Sequence, residues 1–78
     1  MQMELQIIAE LIEDIFETDE FDLKTDFYGD LGADWLDMIE LMYGCEEEFE
    51  IEIGESAMKE VSTVGELCAL VRRIGGAE

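Results

Sequence analysis

Asp26, Asp30, Asp34 and Asp37 fall in one glycine-bearing stretch, and clustered carboxylates are where a divalent cation or an acid/base pair would sit. The cation test fails on spacing. An EF-hand register begun at Asp26 puts Tyr28 at the third position and Leu31 where the sharp turn needs glycine, although Asp37 does fall on the last position. That leaves only weak, adventitious divalent binding, and no dedicated metal site is expected. The acid/base test is uninformative: with 22 acidic residues, close pairs arise by chance and a solvated acidic surface accounts for them. Ser56 and Ser62 have no base in any recognisable motif and read as helix-start or turn residues. The absence of histidine removes Ser-His and Cys-His couples and His-containing zinc sites. Cys45 and Cys68 lie inside apolar-periodic stretches and read as two buried reduced thiols rather than a disulfide or a metal pair. No catalytic residue is assigned, and the chain does not read as an enzyme. What remains is DLGADWLD, residues 30–37. Its centre, Trp35, is placed as a reactive or modified side chain would be, yet an indole is neither nucleophile, acid nor metal ligand.

Charge narrows the partners. Four basic residues stand against 22 acidic ones, a formal net charge of −18. Such a chain repels nucleic acid and anionic membrane surfaces and is drawn to basic patches on other proteins, with strong salt dependence. Self-repulsion also weakens the compact state. Disorder is not expected, because 49% of residues are hydrophobic and they recur at helical spacing. No basic n-region and no apolar run of membrane-spanning length occurs, so a cytoplasmic location without membrane insertion is expected. At 78 residues the chain reads as one domain, 1–78, near the lower size for a self-sufficient core, and as a monomer.

The elements that would position Trp35 are helical. Leu5, Ile8, Leu11, Ile12, Ile15 and Phe16 form the stripe of an amphipathic helix over roughly residues 3–17. Residues 18–34 read as a long loop, pinned by Phe21, Leu23, Phe27 and Leu31. Asp34 is a good N-cap for a second helix from residue 35, with Asp37 adding negative charge to its first turn. The expected inward stripe is Leu36, Ile39, Met42, Cys45 and Phe49, with Asp37, Glu40, Glu47 and Glu48 facing out. Gly44 in mid-helix suggests that a side chain there would collide with a neighbour. Residues 48–53 alternate like a strand, but a lone strand has no partner. The helix is therefore taken to about Glu50, and Ile51 and Ile53 to an extended segment pointing inward. Residues 55–61 read as a short helix carrying Met58 and Val61. Thr63 and Glu66 form a capping box for a last helix with an apolar face of Val64, Leu67, Cys68, Val71 and Ile74, closed by Gly75-Gly76. The fold class is all-α: three main helices, one short helix and a long loop after the first.

The stretch FYGDLGADWLD (27–37), followed by Ile39-Glu40-Leu41, the run Glu46 to Ile53 and Thr63-Val64-Gly65-Glu66-Leu67, resembles an acyl carrier protein over essentially the whole chain. In that family the residue between Asp34 and Leu36 is serine. The resemblance implies that a phosphopantetheinyl transferase attaches 4′-phosphopantetheine there, whose thiol carries acyl groups in fatty-acid or related metabolism. It also implies that acids of the second helix dock basic faces of acyl-processing enzymes; the matching residues are Asp34, Asp37, Glu40, Glu46 and Glu47, with Glu55 and Glu60 as secondary candidates.

Trp35 departs from the pattern where it matters most. Without a hydroxyl the phosphodiester cannot form, so the cofactor-binding position is blocked. Two origins fit. The tryptophan replaces serine in a parental carrier, or the chain is a diverged non-carrier homologue that keeps a docking surface for regulation or assembly. Tyr43, Gly44 and Cys45 also depart from the longer aliphatic residues or alanine usual in the family, and Gly44 and Cys45 leave space along the second helix. The indole then has two expected placements: folded back over that space, or exposed as an aromatic anchor.

Overall fold

The computed structural model describes residues 2–75, with side chains from residue 4 onward, and these residues fold as four helices in the order α1 (Gln2–Phe16), α2 (Trp35–Phe49), α3 (Glu55–Met58) and α4 (Val64–Gly75). No strand forms among them. Among the described residues the only extended pairing is an antiparallel bridge between Asp26 and Thr63. The fold is all-α, as the periodicity predicts.

The α1 stripe arises because Ile8 and Ile12, one turn apart, reach zero exposure while Leu5, Leu11, Ile15 and Phe16 pack around them. The same core holds Met38, Leu41, Met42 and Cys45 of α2, Met58 of α3, and Leu67, Cys68, Leu70 and Val71 of α4. Burial of these side chains is the main favourable term for a chain this short, at roughly 25 cal/mol per Å² of apolar surface removed from water.

The expected stripes of α2 and α4 each hold except at one end. Leu36 is 74% exposed, and the inward line runs through Met38, Met42, Cys45 and Phe49. At about 100° per residue, Leu36 stands about 200° round from Met38 and cannot share its face. Sequence allows either residue at the start because both are apolar; packing against α1 selects Met38. In α4, Leu70 is buried and Ile74 is 37% exposed. The short helix ends at Met58 rather than Val61, although Val61 still enters the core. Ile51 and Ile53 do turn inward from irregular chain. Gly76, half of the expected α4 stop, lies outside the described residues.

Three of the four expected loop pins hold. Phe27 is fully buried, with its ring stacked 6.0 Å from Phe16, and Phe21 and Leu31 pack on the core. Leu23 is 47% exposed; its anchor is the backbone, whose carbonyl accepts from Gly65 N–H at 2.9 Å. Phe27 N–H to Ser62 O at 2.7 Å and Val64 N–H to Thr25 O at 3.0 Å complete the tie between the long loop and the start of α4. At Gly65 a Cβ would stand 3.0 Å from the Leu23 carbonyl oxygen, so a side chain there would crowd this tie.

Both thiols are free and buried. Burial, then the neighbouring Cys68 and Glu46, pushes the Cys45 thiol from 9.0 up to about 12, and burial also raises Cys68. A raised thiol means that the folded chain holds a proton the unfolded chain releases. Stability on this account is complete below pH 9 and is lost as pH rises towards 12. The expected outcome is little alkylation of the native chain by iodoacetamide at pH 8 against rapid alkylation in denaturant, with a falling melting temperature above pH 9.

Glu50 ends α2 at φ 56°, ψ 50°, a left-handed conformation that favours glycine, and it adds charge at the negative end of the helix dipole. Glu50→Gly should therefore stabilise the chain by about 0.5–1 kcal/mol, after allowance for the greater freedom of glycine in the unfolded state. Urea unfolding checks it, and a lower midpoint would refute the strain.

Candidate functional site at the start of the second helix

Asp34 folds back on the first turn of α2. Its Oδ1 accepts from Asp37 N–H at 2.9 Å, and Asp37 Oδ2 accepts from Asp34 N–H at 3.2 Å, a complete reciprocal capping box. The sequence pointed to Asp34 as a cap; the returning bond from Asp37 is added by the structure. Upstream, Asp26 Oδ2 accepts from Gly29 N–H, and Asp30 Oδ2 accepts from Asp26 N–H at 2.8 Å. All four clustered aspartates thus serve backbone donors of the turns leading into α2. No group of three or more potential ligands is arranged to hold a metal among the described residues.

Trp35 is the first residue of α2, half-buried and packed against the edge of the core. It shares a flank of the helix with Ile39 and Glu46, at i+4 and i+11. Gly44 is nine residues on, about 180° round and roughly 13 Å along the axis, so the indole cannot cover it. The space at Gly44 is taken instead by Leu11 of α1, whose Cδ2 would lie 3.0 Å from a Cβ there. A side chain there would press on Leu11, which would have to give by a few tenths of an ångström, and glycine permits the close α1–α2 packing as it stands. Nor does the indole stand fully in solvent, since Trp35 is half-buried against the core.

The acids divide into two kinds. Glu40 and Glu47 are exposed and line up with Leu36 and Tyr43 at i, i+4, i+7 and i+11, directly opposite the buried stripe. Tyr43 is 59% exposed, which makes this line partly apolar. Glu46 is half-buried, and its Oε2 accepts from Ile53 N–H at 2.8 Å and Gly54 N–H at 3.4 Å. It braces the α2–α3 connection, a role no local pattern announces. Glu55 and Glu60 are exposed around α3, and Glu60 lines an open groove of about 390 Å³ between α3 and α4. No helix among the described residues is long and apolar enough to cross a membrane.

The profile of the family described as "Phosphopantetheine attachment site" matches residues 5–71. This chain belongs to the acyl carrier protein family. An acyl carrier protein of Clostridium acetobutylicum is 35% identical over 72 residues, covering 90% of this chain and 94% of its own length. One from Phenylobacterium zucineum is 44% identical over 54 residues, 69% of this chain and 68% of its own. One from Trieres chinensis is 46% identical over 48 residues, 62% of this chain and 60% of its own. Proteins of the family are carriers rather than catalysts, and the group they carry is 4′-phosphopantetheine.

The first residue of α2 is Trp35. A phosphodiester at the head of α2 needs a hydroxyl, and Trp35 supplies only an indole N–H donor. The capping box of Asp34 and Asp37 is complete around it.

Removing the cap tests how much that start depends on it. Asp34→Ala should cost about 1 kcal/mol, whereas Asp34→Asn, which keeps an acceptor, should cost a fraction of that. Chemical unfolding of the two variants checks the contrast.

Proposed function

We propose that this chain is a docking member of the acyl carrier protein family, acting in acyl metabolism by presenting the outer face of α2 to basic surfaces of acyl-processing enzymes, with Trp35 as a blocked attachment point. The observation that carries this is the exposed line Leu36–Glu40–Tyr43–Glu47 on the side of α2 away from the core. Energetics support it. The last turns of α2 hold Glu46, Glu47 and Glu48 with no basic residue, at the helix end where negative charge is unfavourable. Acids placed against the dipole cost stability, and a cationic partner would recover that cost. Asp34 and Asp37 set the start of the face, Glu40 and Glu47 supply its outward charge, and Glu46 contributes by holding the loop below it. The family expectation of a phosphopantetheinyl transferase as partner follows the same charge logic.

A regulatory or assembly protein of the same fold is the second reading, and Trp35 itself favours it. Trp35→Ser separates the two. A parental carrier regains modification by a phosphopantetheinyl transferase, seen as the mass increase of one phosphopantetheine. A diverged homologue binds the transferase without being modified.

Docking has its own test. Glu40→Lys and Glu47→Lys should each slow association with the transferase by about tenfold at low salt, the difference shrinking as salt rises. Unchanged association rates for both would remove the α2 face from the proposal.

A further inference from the structure

Resting on that docking reading, we infer that this chain is a competitive occupant: it seats on the carrier-binding surface of a basic enzyme and withholds that surface from a loadable carrier. Three observations converge on it. Position 35 has no group to load, while the Asp34–Asp37 capping box keeps the helix start that a loadable carrier would need. The indole lies on a flank of α2 about 100° away from the Leu36–Tyr43 line, packed on the core edge, so the tryptophan leaves the outer face uncovered. That face keeps two large exposed apolar side chains, Leu36 at 74% and Tyr43 at 59%, interleaved with Glu40 and Glu47.

The occupant of the face follows from its chemistry. Leu36 and Tyr43 are seven residues apart, roughly 10 Å along the helix, and Glu40 and Glu47 repeat the same spacing half a period on. A complementary surface offers two apolar depressions at that separation, with lysine or arginine between and beyond them. A second copy of this chain does not, because each brings a net charge of −18 to the contact. A protein surface selected to receive an acidic carrier does.

The test uses the acyl carrier protein of Clostridium acetobutylicum as substrate, a phosphopantetheinyl transferase that modifies it, and the unaltered chain as the added component. Binding of the chain to the transferase is measured separately by calorimetry. Competitive occupancy predicts that the chain, at ten times its own Kd, raises the apparent KM for the carrier about elevenfold with kcat unchanged. Leu36→Asn and Tyr43→Ser, both at exposed positions that leave the core intact, should each abolish most of that rise. Binding without any change in KM, or a fall in kcat at constant KM, overturns competition while leaving the docking reading standing. Absence of binding overturns both. Inhibition that survives both substitutions also overturns the inference, since the outer face of α2 would then not be the surface in use.

Discussion

Carboxylates accepting backbone N–H bonds hold the irregular parts of this chain in place. Four cations cannot pair 22 acids, so charge compensation has to come from elsewhere. Asp22 caps Lys24 N–H, Asp26 and Asp30 close the turn before α2, Asp34 and Asp37 cap its start, Glu46 braces its exit, and Glu66 takes Ser62 and Thr63 N–H at the head of α4. Each bond sets a full negative charge against donors that would otherwise lack an intrahelical or ladder partner. The same acids that strain the compact state through mutual repulsion also organise its loops. Losing one therefore removes a repulsive charge and leaves a backbone donor unsatisfied, and the second effect dominates wherever the bond is local.

That distinction sorts the acidic surface. Acids engaged with backbone have a structural reason to be where they are. Glu40, Glu47 and Glu48 stand exposed on α2, and the last two occupy its dipole-negative end. Folding gains nothing from them there. Leu36 and Tyr43 share the outer line with Glu40 and Glu47, and they too contribute little to the core. One face of the helix is committed to the core, and the opposite face, which the fold does not use, is the one that the docking proposal assigns to a partner.

Legibility in the sequence followed the range of each interaction. Capping at Asp34 and the Thr63–Glu66 box were readable because both partners lie within four residues, and the α1 stripe was readable because only one apolar phase exists along it. The α2 stripe was legible at Ile39, Met42, Cys45 and Phe49 but not at its start, where Leu36 and Met38 are both apolar and only contact with another helix chooses Met38. Glu46 was legible as an acid and illegible as a brace: its partners at 53 and 54 come within reach only after Glu50 turns left-handed and reverses the chain. The strand-like alternation at 48–53 misleads for the same reason. It records one helix end and two inward isoleucines, not a ladder.

Trp35 sits at the junction of these arguments. A helix start kept only to load a cofactor would have no reason to persist if Trp35 stands where the family has its loading serine. The frame is nevertheless complete, with both capping bonds formed and the glycine turn ahead of it closed by Asp26 and Asp30. A capping bond is worth about 1 kcal/mol and serves folding whatever residue follows, so the cap alone decides nothing. The outer face is the more telling part. Exposed Leu36 and Tyr43 and dipole-opposed glutamates serve neither the core nor the cap, yet they stand on the same helix as a residue that cannot be loaded. That outer face, exposed beside a residue without a hydroxyl, is the ground on which the docking proposal rests.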